Sequence, residues 1–335
     1  MAAIEQELSD RYAIYNGDSC EVLPDLPDDA AGLSLYSPPF ADLYNYSSSE
    51  RDLSNCRDYA HFLDHYRFIV EQVHRITMPG RVSCVHCCDI PIPGQRDGYR
   101  DFPGDIVRLH QDLGFTFHGR VAIWKEPLRV AIRTRLQHLT HKNLTKDSSV
   151  SFPAGGDYIL LFKKRGPNAS PIKHPTGLSE YAGSREVPSD LQRYRGERRQ
   201  EKNKLSQWIW QKYASCFWHD IRLSRVLPYK EAKDPEDEKH VCPLQLDVIE
   251  RCLALWSNPD DVLLTPFMGV GSEVCGALVN GRKAIGIELK PSYYRQAKAN
   301  IARCLEHGWG SDTDQGQLDF GTEAEESETE LADVD

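Results

Sequence analysis

Apolar residues recur along this chain in two rhythms. At Tyr59, Phe62, Leu63, Tyr66, Ile69, Val70, Val73 and Ile76 they return every three or four positions, which predicts an amphipathic helix ending near Met78-Pro79-Gly80-Arg81. A second helical rhythm covers 103–113, and further helices are predicted over 244–257, 272–280 and 291–305. Between them lie short apolar runs at 12–15, 32–36, 82–88, 116–125, 157–164, 261–265 and 283–289. A run that is apolar at consecutive positions reads as a strand covered on both faces. Strands alternating with helices predict an open α/β sheet, seven-stranded and mostly parallel, with helices on both faces. Ligands of such sheets bind beyond the carboxyl ends of the strands, where strand order reverses.

Residues 166–235 break the rhythm: they are rich in Pro, Arg, Lys, Glu and Gln and predict an inserted region without assignable elements. Trp208, Trp210 and Trp218 are expected to form its small core. The chain divides into 1–165, this insertion, 236–305, and a polar acidic stretch over 306–335 that predicts a disordered tail. Charge sharpens the division. The formal net charge is −10, but 306–335 holds 11 Asp/Glu and no Lys/Arg, so the remainder is nearly neutral. Residues 116–215 carry 19 Lys/Arg against 8 Asp/Glu, the footprint of a face that meets phosphates.

No apolar run approaches membrane-spanning length, and the first residues carry no secretory pattern, so no membrane association and a cytoplasmic location are expected. The ten cysteines are irregularly spaced and read as free thiols. Cys84-x-x-Cys87 has no second Cys pair at zinc spacing, so no metal site is expected.

Two strand ends carry candidate chemistry. The run at 32–36 stops at Ser37-Pro38-Pro39-Phe40, where two prolines fix the backbone beside a hydroxyl and an aromatic ring. The run at 261–265 stops at Phe267-Met268-Gly269-Val270-Gly271-Ser272, and an acid, Glu288, ends the next run. Glycines between a strand and a helix let backbone N–H groups approach a ligand, and a carboxylate at the next strand end accepts ribose hydroxyls. Val274 stands where a dinucleotide fingerprint needs a third glycine, and no P-loop Lys is present, which favours S-adenosylmethionine over NAD.

Together the two motifs resemble the exocyclic-amino DNA methyltransferases, the cytosine-N4 and adenine-N6 enzymes. The motif order, with the variable region between, is that of their permuted β group. Several stretches also resemble methylases of phages and prophages. The resemblance implies a Rossmann-like, circularly permuted methyltransferase fold that uses S-adenosylmethionine, with 166–235 as the target-recognition region. It implies that Ser37, Pro38, Pro39 and Phe40 are catalytic, the ring of Phe40 stacking on the flipped base. It further implies that Asp18 meets the cofactor's adenine amino group, Glu288 the ribose, and Phe267, Gly269, Gly271 and Ser272 the rest. The segment around His240, Pro243 and Gln245 resembles the motif that closes over the methionine end. Thr265 departs from the family's usual Asp before Pro-Phe. Ser rather than Asp at position 37 tilts the expectation toward cytosine-N4 over adenine-N6.

A base inside a duplex cannot reach such a pocket, so double-stranded DNA has to be gripped and the base turned out. The candidate gripping residues are Arg129, Arg133, Arg135, Lys142 and Lys146 in one loop. Arg193, Arg195, Arg198, Arg199, Lys202 and Lys204 in the insertion are the others. No Pro-Cys dipeptide exists for a cytosine-C5 mechanism. An RNA or protein methyltransferase shares the cofactor half, and a non-catalytic nucleic-acid-binding module with a decayed fold needs neither motif. A bacterial or phage-infected cell, a restriction–modification setting, a homodimer and a cognate nuclease are compatible with this reading.

Overall fold

The computed structural model of the chain describes residues 3–40, 52–92, 98–127, 130, 141–229, 232 and 243–308. Its strands are β1 (Glu5–Leu8), β2 (Tyr12–Asn16), β3 (Ala31–Tyr36), β4 (Thr77–Cys88), β5 (Ile90–Pro91), β6 (Tyr99–Arg100), β7 (Phe115–Ile123), β8 (Asp157–Lys164), β9 (Phe217–Trp218), β10 (Val262–Thr265) and β11 (Lys283–Glu288). The helices are α1 (Ser19–Val22), α2 (Tyr59–Ile76), α3 (Phe102–Asp112), α4 (Asn143–Lys146), α5 (Lys204–Tyr213), α6 (Leu246–Trp256), α7 (Ser272–Val279) and α8 (Pro291–His307).

One nine-stranded sheet runs in the order β1-β2-β11-β10-β3-β4-β8-β7-β9. Strands β2, β11, β10, β3 and β4 are mutually parallel; β8 is antiparallel to β4 and β7. The seven expected strands occupy the centre, and β1 and β9 add an edge on each side. From β10 the chain crosses through α7 to β11 on one side. From β3 it crosses through α2 to β4 on the other. The order therefore reverses between β10 and β3, and Ser37 and Pro266 leave the sheet at that switch point.

Each central strand feeds both faces, as period-two alternation demands. In β4, Val82 and Cys84 enter one core cluster while Val85 and Cys87 enter the other; Ile159 and Leu161 of β8 oppose Leu160 and Phe162 in the same way. Cys84 and Cys87, three positions apart on a strand, thus face opposite sides of the sheet. Helix α2 packs on the second face through Phe62, Tyr66, Ile69, Val70, Val73 and Ile76, each buried side chain contributing roughly 1.5–3 kcal/mol. It is started by Asp58, whose carboxylate accepts from the His61 N–H.

Three expectations need correction. Strand β4 begins directly at Thr77, so Pro79-Gly80 lies inside a strand; a bulge opposite Ala31–Leu33 and Gly80 at φ +74° accommodate it. The insertion does carry elements, namely α5, a 3-10 turn at Ser189–Tyr194, and β9, which joins the main sheet beside β7. Trp218 is fully buried in the main core and Trp208 half-buried, but Trp210 is 55% exposed because it lies on the outer face of α5. The acidic tail from 309 onward lies outside the described residues.

A buried cation fastens the insertion to α6. The Arg251 guanidinium sits 4.9 Å from the Tyr213 ring centroid and 5.0 Å from that of Trp218, pairs with Asp220 at 2.9 Å, and donates to the Ala182 carbonyl. Beside it, buried Asp247 accepts from Arg222 and Arg225.

Candidate active site

The carboxyl ends of β2, β11, β10, β3 and β4 form one rim, and polar contacts tie them together. The Asn16 side-chain amide donates to the Glu288 and Leu289 carbonyls at 2.8 and 3.1 Å. Ser19 donates to the Pro266 carbonyl at 2.5 Å. Asp18 caps α1 by accepting from the Cys20 N–H at 2.9 Å, which holds its carboxylate at the end of β2.

The glycine turn between β10 and α7 is left-handed at both glycines, φ +55° at Gly269 and +90° at Gly271. Only glycine adopts such angles without strain. A Cβ on Gly271 would lie 3.2 Å from that of Ala297 in α8, so the turn also needs the space. Asn300, buried on α8, donates to the Val270 carbonyl at 2.9 Å and the Pro228 carbonyl at 3.0 Å. It fixes the turn from behind; a lone Asn in a helical pattern gave no signal of this. The Glu288 carboxylate reaches across from β11 and accepts from the Gly269 N–H at 2.7 Å and the Lys290 N–H at 2.8 Å. Burial pushes its carboxyl up to about 7, against those two hydrogen bonds, with nearby Asp52 adding to the rise.

Several buried polar atoms around this turn have no hydrogen-bond partner among the described residues: Thr265 Oγ1 at the end of β10, Ser272 Oγ at the start of α7, and Gln245 Oε1 at the start of α6. An unsatisfied buried polar atom costs about 1–3 kcal/mol, so the pattern suits a polar ligand that completes them. That donor set, with the open glycine turn and the acid at the β11 end, fits S-adenosylmethionine. Thr265 brings no charge where the related enzymes carry Asp. Buried Glu273 is pushed up to about 8 and supplies little negative charge at neutral pH. Asp52, buried near Glu288, is a carboxylate at this rim that the sequence pattern did not single out.

At the neighbouring β3 end, Tyr36 packs against Phe267 with ring centroids 5.9 Å apart, so the two motifs adjoin. Ser37 is half-buried, and its Oγ lies 2.9 Å from His86 Nδ1. His86 Nε2 lies 3.1 Å from Asp157 Oδ2, and Lys125 pairs with the same carboxylate. Burial alone would raise the Asp157 carboxyl, but Lys125 and His86 outweigh it and hold it well below the usual range. Phe40 is buried, edge-on to His86 at 6.0 Å and to Phe102 at 6.4 Å. Past Asp157 on the same rim, a cleft of about 480 Å³ is lined by Gly98, Tyr99, Ser149, Val150 and Phe152.

Of the other expected residues, Pro243 is half-buried and Gln245 buried at the start of α6. Lys142 and Lys146 are exposed on and beside α4, and Arg193, Arg195, Arg198, Arg199, Lys202 and Lys204 are exposed in the insertion. Within that group Arg195 pairs with Glu180 and Arg199 with Glu197, while Arg193 and Lys204 lie over the Tyr194 ring. Arg129, Arg133, Arg135 and His240 lie outside the described residues. No helix among the described residues is long and apolar enough to cross a membrane.

Comparison with known proteins agrees with this geometry. The DNA methylase family profile for N6 and N4 enzymes matches residues 33–299. Type II methyltransferase M.BglII of Bacillus subtilis is 26% identical over 291 residues, which span 84% of this chain and 66% of that protein. Type II methyltransferase M.ScaI of Streptomyces caespitosus is 25% identical over 281 residues, 84% of this chain and 78% of its own. Among solved structures, the cytosine-N4-specific PvuII DNA methyltransferase aligns with a TM-score of 0.59 at 16% identity, covering 89% of this chain and 90% of that one. A DNA modification methylase of Thermus thermophilus, TTHA0409, complexed with S-adenosyl-L-methionine, aligns with a TM-score of 0.58 at 23% identity, covering 88% and 93%. A sheet that reverses order between a Ser-Pro-Pro-Phe corner and a glycine turn, matched over most of its length by one family, places this chain among the N6/N4 DNA methylases.

Proposed function

We propose that this DNA methyltransferase acts on the exocyclic N4 amine of a cytosine turned out of duplex DNA. The observation that carries the reading is the adjacency of Ser37 and the glycine turn across the switch point, held by the Tyr36–Phe267 contact. Serine in place of aspartate at the catalytic corner, and the fold shared with an enzyme named as cytosine-N4-specific, favour cytosine over adenine.

S-adenosylmethionine, the methyl donor, supplies a sulfonium-bound methyl: the amine nitrogen forms the new N–C bond, the C–S electron pair stays on sulfur, and one amine proton is released. The chain's part is placement. Glu288 accepts the ribose hydroxyls, Asp18 meets the adenine amino group, and Phe267 covers the ring. Gly269, Gly271 and Ser272, with Pro243, Gln245 and His240 closing over them, hold the methionine end.

An exocyclic amine conjugated to a ring is a weak nucleophile because its lone pair is delocalised. Acceptors fixed around its N–H groups favour a pyramidal nitrogen with the pair exposed. The Ser37 hydroxyl and the carbonyl ahead of Pro38 serve as those acceptors, and two prolines hold them without reorganisation. Phe40 borders the base. Lys142, Lys146 and the exposed basic residues of the insertion grip the phosphates, joined by Arg129, Arg133 and Arg135.

The test is transfer of labelled methyl to unmethylated genomic DNA, followed by mass spectrometry of the nucleosides. N4-methylcytosine supports the reading; N6-methyladenine would assign the same site to adenine instead.

A further inference from the structure

The Ser37 hydroxyl does not stand alone. Behind it runs a chain of side chains from three other segments: His86 of β4, Asp157 at the start of β8, and Lys125 just past β7. We propose that His86, held by Asp157 and Lys125, is a positioning residue that turns Ser37 Oγ into a hydrogen-bond acceptor facing the target amine. The proposal rests on the reading of Ser37 as the catalytic corner and deepens it.

The argument is one of hydrogen bookkeeping. Asp157 is an ionised carboxylate, since the Lys125 ammonium pairs with it and a carboxylate only accepts. His86 Nε2, 3.1 Å away, must therefore carry the ring proton and donate it. A neutral imidazole with a proton on Nε2 has a bare Nδ1, which can only accept. Ser37 Oγ, 2.9 Å from that nitrogen, then has to donate its hydroxyl proton backwards into the protein. Its lone pairs are left for the crevice, where the target presents N–H. An unanchored serine would be free to point its proton at the amine, donor against donor.

The same chain makes the site sensitive to acid. A protonated His86 carries N–H at both nitrogens and donates to Ser37 Oγ, which forces the hydroxyl proton toward the substrate. The described groups that face the imidazole are Asp157 from β8, Lys125 from beyond β7, and the Ser37 hydroxyl and Phe40 edge from the corner after β3. Replacing Asp157 by Asn should have a related effect at neutral pH. A carboxamide can donate to Nε2, which moves the ring proton to Nδ1 and reverses Ser37, the inversion seen when an aspartate orienting a histidine becomes an asparagine.

The test uses full-length protein, labelled S-adenosylmethionine and unmethylated genomic DNA. For wild type, kcat should fall on acidification with the slope of one proton. For His86→Asn, whose carboxamide oxygen still accepts from Ser37 but does not titrate, a lower rate without that acid limb is expected. His86→Leu should lose at least about tenfold in kcat, the scale of one hydrogen bond, with cofactor affinity within about twofold of wild type. Nitrogen-15 NMR of histidine-labelled protein gives a readout independent of turnover: His86 should be the Nε2–H tautomer, and Ser37→Ala should shift its Nδ1. An Nδ1–H tautomer would overturn the proposal, as would His86→Leu turning over like wild type with the acid limb intact. Absence of methyl transfer by wild type at every pH would instead overturn the underlying reading of the corner, and the proposal with it.

Discussion

The rings of Tyr36 and Phe267 lie 5.9 Å apart, centroid to centroid, although more than two hundred residues separate them in the chain. Tyr36 is the last residue of β3 and Phe267 the second after β10, so the contact is made where strand order reverses. It fixes the distance between the catalytic corner and the cofactor turn. Phe267→Ala should therefore weaken S-adenosylmethionine binding and also destabilise the fold, by about 2 kcal/mol for a half-buried ring. Calorimetric titration and urea unfolding check the two effects separately.

Glycine at 271 is set by both angle and space. Gly271→Ala places a Cβ 3.2 Å from Ala297 in a backbone of φ +90°. Gly269→Ala meets nothing within 4 Å and incurs only the strain of φ +55°. The expected losses of stability are about 2–3 kcal/mol at 271 and about 1 kcal/mol at 269. Equal losses at both sites would show that Ala297 yields freely.

Glu288 links cofactor binding to pH. Burial raises its carboxyl to about 7, with Asp52 adding and Lys290 opposing. Only the ionised form accepts both ribose hydroxyls, so affinity should rise roughly tenfold between about pH 6 and pH 8, and Glu288→Gln should flatten that rise. The sign for stability is opposite. The folded value lies above the unfolded one, so the stabilisation present in acid is lost as pH rises from about 4.5 through about 7. Titration calorimetry and urea midpoints across that range measure both.

Arg251 is expected to matter for the fold and not for chemistry. Arg251→Ala leaves Asp220 without its buried cation and opens the space between the Tyr213 and Trp218 rings. A loss of about 3 kcal/mol or more in urea unfolding is expected.

The basic residues of the insertion should act through phosphates. Lys202→Ala and Arg198→Ala should each weaken DNA binding evenly across sequences. Each should also lower the salt dependence of log K by about one unit, measured by fluorescence anisotropy. A change of sequence preference instead would make that residue a base reader.

Much of this was legible in the chain. Continuous apolar runs marked the central strands because both faces are covered, and Ser37-Pro38-Pro39 and Gly269-x-Gly271 stood at strand ends, where ligands bind. What was hidden depends on strand neighbours. His86 looked like one polar residue in a Cys-rich core strand. Its partner Asp157 is 71 positions away, and they meet only because β4 and β8 pair antiparallel with Cys88 opposite Asp157. Asn300 was invisible for the same reason, since its acceptors lie in the glycine turn and the insertion. The short edge strands β1 and β9 lack an apolar pattern because one side of each faces no neighbour.

The central claim is that the Ser37 corner serves turnover and the glycine turn serves binding, in one crevice. The most direct measurement compares Ser37→Ala with wild type for cofactor affinity by calorimetry and for single-turnover methyl transfer to DNA. The account predicts affinity within about twofold and a transfer rate reduced by at least about tenfold. Wild-type transfer by Ser37→Ala, or loss of cofactor binding in place of turnover, would contradict it.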